Sequence, residues 1–115
     1  MISEGQVVLF RFPQTDQAAS KLRPSLVLRR LPGPFDDWLI CMISSQLEKQ
    51  IPGFDEVIAA RDTDFTTSGL KTDSVIRIAR LAVAQRLVLL GAIGQIAPER
   101  LTRLKLKLRE WITGR

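Results

Sequence analysis

The chain has 115 residues, 45% hydrophobic and 25% charged, with net charge +5, no histidine, no tyrosine and one cysteine. That length fits a single domain over residues 1–115 with a real core, and no apolar run approaches the roughly 20 residues that span a bilayer. Without histidine, Ser-His triads, histidine metal sites and paired-histidine nuclease chemistry are excluded; no acidic cluster suggests a metal cage, so neither metal nor cofactor is expected.

Any catalysis must therefore run on Arg, Lys, Asp, Glu, Ser, Thr, backbone groups and the substrate itself. Met1-Ile2-Ser3-Glu4-Gly5 lacks the basic and apolar regions of a signal peptide, and with no membrane span this fits a cytoplasmic protein. Residues 1–58 carry six Lys/Arg against seven Asp/Glu, while residues 59–115 carry eleven against five. The excess in the second half suits a polyanion or an acidic protein tail, or equally a solvated helix face.

Gln6 to Phe12, β-branched and aromatic after Gly5, reads as a first strand that Pro13 stops. Residues 13–23 are small and polar and read as a long loop, longer than the usual hairpin connection and of the kind that carries function. Lys21-Leu22-Arg23-Pro24 then runs into an aliphatic stretch. Pro24 biases Arg23 away from helix, so the boundary is extended and Arg23 stands at the mouth of a core strand, Ser25 to Arg30. Locally, Arg23 is open to two readings, a loop-end surface arginine or a guanidinium placed to meet an anion.

Leu31 to Asp37 is turn chemistry through Pro32-Gly33-Pro34. Trp38 to Ile43 is a third, nearly all-apolar strand ending in Ser44-Ser45-Gln46, and Cys41 within it reads as a buried structural thiol. Asp55 to Ala59 is a short fourth strand, and residues 61–73 are polar and turn-like. Ser74 to Ala79 alternates as a fifth strand, with Val75, Arg77 and Ala79 on one face and Ile76 and Ile78 on the other. Leu87 to Ile96 reads as a helix turn followed by a strand. Pro98-Glu99 starts a helix whose apolar stripe is Leu101, Leu104, Leu108, Trp111 and Ile112, with Arg100, Arg103, Lys105, Lys107 and Arg109 opposite. Ala97 is a poor cap for it. Many short strands closed by one helix give a mainly β α+β domain, most simply a small barrel.

The order of segments resembles the MazF/PemK toxins. The likeness is carried by Gly5-Gln6-Val7-Val8, Phe12-Pro13, Lys21 to Leu28, Ile43-Ser44-Ser45-Gln46, Ser68-Gly69-Leu70 before Asp73-Ser74-Val75-Ile76, and Ile93-Gly94-Gln95-Ile96 before Pro98-Glu99. The resemblance implies an SH3-like antiparallel β-barrel with a C-terminal amphipathic helix, usually a homodimer. It also implies an mRNA interferase of a type II toxin-antitoxin pair, a sequence-specific, metal-independent endoribonuclease that cuts single-stranded RNA. In that reaction the ribose 2′-OH attacks the adjacent phosphate, leaving a 2′,3′-cyclic phosphate and a 5′-OH.

The family's catalytic arginine falls on Arg23 and its strand-end Thr or Ser on Ser44. A planar, always-charged guanidinium suits clamping of the scissile phosphate, and a hydroxyl can bond the same group. Lys21, Ser45, Gln46 and Arg77 are the expected RNA-binding residues. The resemblance also implies an antitoxin protein covering Arg23. Two positions depart from the family: its acidic residue after the fifth-strand segment is Ala79 here, and its Arg-Thr element is Ala82-Val83. No general base follows from the sequence; Glu4, Asp16 and Asp73 are the remaining carboxylates considered. These departures keep an alternative open, a catalytically weak or inactive barrel that binds nucleic acid or protein, as a relative of this fold does when it poisons DNA gyrase. Leu31, Trp38 and Leu106 read as exposed apolar residues available to a dimer.

Overall fold

The computed structural model describes residues 2–11 and 22–114. Six strands form one antiparallel sheet: β1 (Gln6–Phe10), β2 (Arg23–Arg30), β3 (Asp37–Ser44), β4 (Glu56–Ile58), β5 (Ser74–Gln85) and β6 (Ala92–Gln95). Two helices accompany them, the single turn α1 (Phe65–Ser68) and the long α2 (Pro98–Ile112). The sheet order is β4-β5-β3-β2-β1-β6, and the fold is the expected mainly β one, its sheet curled into a half-barrel. Val7, Val8, Leu26, Val27, Ile40 and Cys41 are all fully buried, which is why these strands read as continuous apolar runs rather than as alternation. One face packs Val7, Leu26, Cys41, Ile43, Ile76 and Ile78 with Leu104 and Leu108 of α2. The other packs Val8, Val27, Trp38, Ile40 and Ala84 with Ile2 and Leu89.

The two edges of the sheet meet through α1, which follows edge strand β4 and packs on edge strand β6. The approach is backbone to backbone: a Cβ on Gly94 would lie 2.2 Å from the Thr67 carbonyl oxygen, and one on Gly69 would lie 2.2 Å from that of Ile93. Gly69 also caps α1 in the left-handed conformation, φ +76°, which a side chain disfavours.

Several boundaries differ from the sequence reading. β1 stops at Phe10, with Phe12 outside the described residues. β2 starts at Arg23, so this arginine belongs to the strand. β5 continues to Gln85 instead of ending at Ala79, because the register with β3 slips between Cys41 and Met42 and accommodates residues 78–80 as a bulge. A bulge breaks the period on which the strand was read. Trp38 is buried, donating its indole N–H to Asp36 Oδ1 at 2.9 Å, whereas Trp111 and Ile112, assigned to the core stripe, are 64% and 65% exposed. Cys41 is fully buried, and burial, reinforced by the charge of Asp55, pushes its thiol pKa up, out of reactive range.

The largest departure is Arg100. Read as a solvated helix residue, it is buried and donates to Asp64 Oδ2 and Oδ1 at 2.8 and 3.0 Å, to Glu56 at 3.0 Å, to Asp62 at 3.2 Å and to the Val57 carbonyl at 3.2 Å. Asp64 Oδ2 also accepts the Ala97 N–H at 3.0 Å, so a residue 33 positions upstream supplies the cap that Ala97 lacks. Arg103 grips Glu56 through two bonds of 3.0 and 3.1 Å, Lys107 lies 3.8 Å from the same carboxylate, and Lys105 pairs with Glu4. The basic face of α2 is thus largely engaged within the chain.

Burial alone would push Asp64 up; the hydrogen bonds from Arg100 and Ala97, with the guanidinium charge, outweigh it, and its pKa sits below the usual 3.8. Asp62 is held down chiefly by the Ala59 N–H and then by Arg100. A carboxyl with a depressed folded pKa stabilises the fold above its ordinary value and loses that contribution as pH falls through the folded value. Stability is therefore expected to drop below about pH 4. Asp64→Asn should lose about 1.5–3 kcal/mol at pH 7 and show a flatter decline between pH 4 and 2, as read by urea unfolding across that range; a parallel decline in both proteins would show that Asp64 does not carry it.

Candidate active site

Antiparallel pairing sets a small group of polar residues on one sheet face. Ser25 pairs with Met42, Met42 with Arg77, and Ser44 with Val75. Directly opposed residues share a face, so the same register continued by two residues sets Arg23 beside Ser44. One row thus holds Arg23 and Ser44, and the next holds Ser25 and Arg77. Pro24 is tolerated because β2 has only just begun there.

Where β2 starts, β3 ends and β5 starts, a cleft of about 390 Å³ opens. Arg23, Ser44 and Ser45 line it on one side and Lys71, Thr72 and Ser74 on the other, over Leu9, Pro24, Ile43 and Ile93. It contains no carboxylate among its described lining residues. Ser44 is nearly buried, and its Oγ accepts the Gln46 N–H at 3.1 Å, which leaves the hydroxyl proton able to donate into the cleft.

The electrostatic signature of the site is an excess of donors. Arg23 Nε, Ser25 Oγ and Arg77 Nε are buried with no partner among the described residues. Buried polar atoms are nearly always bonded, and leaving one unmet costs about 1–3 kcal/mol. Of these three, Arg23 lines the cleft, while Ser25 and Arg77 lie one row further along the same face. Among the described residues no group of three His, Cys, Asp or Glu side chains is placed to hold a metal ion.

The structure therefore brings Arg23, Ser44 and Ser45 into one cleft. Gln46 lies next to it without lining it, Arg77 lies one row further along the face, and Lys21 and Asp16 lie outside the described residues. The other carboxylates considered are engaged elsewhere: Glu4 with Lys105, and Asp73 with the Ala60 N–H at 2.9 Å. Ala79 is exposed within the bulge, and its N–H bonds Asp55 Oδ1 at 3.2 Å. Asp55 is buried and its second oxygen accepts the Ile51 N–H at 2.9 Å, so it supports backbone and has no spare oxygen for the cleft. Lys71, Thr72 and Ser74 were missed in the sequence; the Ser68-Gly69-Leu70 motif just before them was the available signal.

An arginine whose buried donor meets nothing among the described residues adds no stability through them. Arg23→Met is expected to leave the melting temperature unchanged or raise it, in contrast to the usual loss on altering a half-buried residue. Differential scanning calorimetry decides this: a fall of several degrees would mean that Arg23 is a structural residue.

Residues 3–112 match the family model described as PemK-like, MazF-like toxin of type II toxin-antitoxin system. No curated protein matches the chain. The match covers nearly the whole sequence, and the six-stranded sheet, the closing helix and the Arg23–Ser44 cleft lie within it: the chain belongs to the PemK-like, MazF-like family of type II toxin-antitoxin toxins.

Proposed function

We propose that this protein is an endoribonuclease that cleaves single-stranded RNA without a metal and acts in the cytoplasm as a single toxin domain over residues 1–115. The observation that carries this reading is the buried Nε of Arg23, without a partner among the described residues, in the same cleft as Ser44, which no described carboxylate lines. A scissile phosphate placed there accepts from the Arg23 guanidinium and from the Ser44 hydroxyl, and both contacts strengthen as charge builds on the phosphoryl oxygens. The attacking atom is the ribose 2′-oxygen: its bond to phosphorus forms, the bond to the 5′-oxygen breaks, the 2′-hydroxyl proton passes to solvent and the leaving 5′-oxygen takes a proton.

The arrangement clamps phosphate and, among the described residues, offers no general base. Acid–base assistance is typically worth about 10²–10⁴-fold, so turnover is slow and depends on orientation and charge. The carboxylate-free cleft equally favours the second reading, a module that binds nucleic acid without cutting it.

Membership in a type II family implies a protein antitoxin as partner, and we place its inhibitory segment over the Arg23 cleft. Ser45, Gln46, Arg77 and Lys21 are proposed as RNA contacts. A homodimer is proposed on a different face. There Leu39 pairs with Val83, which is 55% exposed, beside a groove of about 470 Å³ lined by Leu28, Leu39, Leu106 and Ile112. An exposed apolar face of this kind marks an association surface.

Two experiments test these readings. Purified protein in EDTA should cut single-stranded RNA to 2′,3′-cyclic phosphate and 5′-OH ends. The rate should rise through pH 6–9 without the bell of an acid–base pair, and Arg23→Ala should lower it about 10²–10³-fold. Tight binding with no product at high protein would establish the non-cutting module instead. Analytical ultracentrifugation should find a dimer that Val83→Asp converts to a folded monomer; a wild type that is monomeric at every concentration removes the dimer.

A further inference from the structure

We propose that the cleft beside Arg23 is a nucleobase pocket, and that Lys71 and Thr72 select guanine or uracil, the bases with a carbonyl oxygen where adenine and cytosine carry an amino group, next to the cut phosphate. This deepens the endoribonuclease reading and rests on it. The cleft, about 390 Å³, falls in the range of small-ligand sites, about 300–1,000 Å³, and exceeds what one phosphate on Arg23 and Ser44 requires. Its floor is aliphatic, through Leu9, Pro24, Ile43 and Ile93. Phosphate and ribose gain nothing from such a floor, whereas an unstacked base has apolar faces to bury and a polar edge to be read.

The wall opposite Arg23 is fixed in backbone and unengaged in side chain. Ser68 Oγ accepts the Leu70 N–H at 3.2 Å, Ser74 Oγ donates to the Thr72 carbonyl at 2.8 Å, and Asp73 holds Ala60. Gly69 is pressed against Ile93, with no room for a Cβ. Residues 71 and 72 are thus pinned from both sides, and among the described residues neither side chain makes a hydrogen bond or ion pair. An exposed side chain on a fixed backbone, lining a pocket and unbonded among the described residues, is available to read a ligand edge.

The side chains present define the base. A lysine ammonium only donates, so it pairs with the carbonyl oxygen of guanine (O6) or uracil (O4) and meets the amino group of adenine or cytosine as donor against donor. The Thr72 hydroxyl donates or accepts and serves the neighbouring edge atom.

The test uses the full chain and a pool of single-stranded RNAs randomised at several positions, with product ends sequenced. Wild type should favour guanine or uracil at one position beside the cut. Lys71→Glu should shift that preference by about tenfold toward adenine or cytosine, and Thr72→Val should relax it, with the fold checked by circular dichroism. An unchanged cut-site profile in both variants overturns the proposal. So does a uniform loss across all sequences with the salt slope reduced by about one, the mark of a phosphate contact. Binding in EDTA to RNAs differing only as uracil against cytosine, or guanine against adenine, separates this inference from the reading beneath it. A preference for the carbonyl base without cleavage supports the pocket while removing the nuclease, and equal binding removes the pocket.

Discussion

The fold depends on the environment of one guanidinium. Arg100 is 7% exposed, a position where an unpaired charge would be prohibitive. Here every N–H direction that the sheet and α1 face is met by a carboxylate or a carbonyl. Its partners lie in β4 and in the connection to α1, so a single side chain of α2 ties the C-terminal helix to the sheet edge. Asp64, the main acceptor, directly precedes α1 and caps α2 as well. Through it the position of α1 is fixed, and with α1 the contact of Gly69 with β6 and the wall of the cleft. A structural ion cluster some way from the site thus sets the site's width.

The same residue type serves the opposite purpose at the cleft. Arg100 exhausts its donors inside the protein, while Arg23 and Arg77 keep a buried donor without a partner among the described residues. The difference lies in the surrounding acids. Glu56, Asp62 and Asp64 cluster around α2, whereas no described carboxylate lines the Arg23 cleft. An acid there would neutralise the arginine and exclude an anionic ligand. Among the described residues, the lack of a lining carboxylate is therefore also what leaves the Arg23 guanidinium open to an anion.

The strands with unbroken apolar runs were legible in the sequence, because burial on both faces leaves a run that needs no period to detect. α2 was legible from Pro98 and its leucine stripe. What escaped were features set by tertiary contact. Arg100 has helical spacing identical to its solvated neighbours and differs only in what the chain places over it. β5 reads as ending at Ala79 because residues 78–80 bulge and break alternation. Trp111 and Ile112 continue the stripe beyond the point where the sheet stops covering it. The cleft positions of Arg23 and Ser44 were legible through flanking motif residues, while Lys71 and Thr72 sit in an ordinary polar connection that the contact of Gly69 with β6 brings to the cleft.

The position of Ala79 shows how the bulge constrains chemistry. An acid at 79 would stand on the exposed bulge of β5, two residues beyond Arg77 and outside the pairing with β3. The carboxylate that meets this position is Asp55, yet Asp55 spends both oxygens on backbone N–H groups, one of them that of Ala79 itself. Freeing it would unpin the bulge and leave two amides unmet, so the fold cannot lend this acid to the cleft without losing local structure. On the proposed reading, the cleft supplies charge and orientation for a phosphate, and the movement of the proton falls to the RNA and to water.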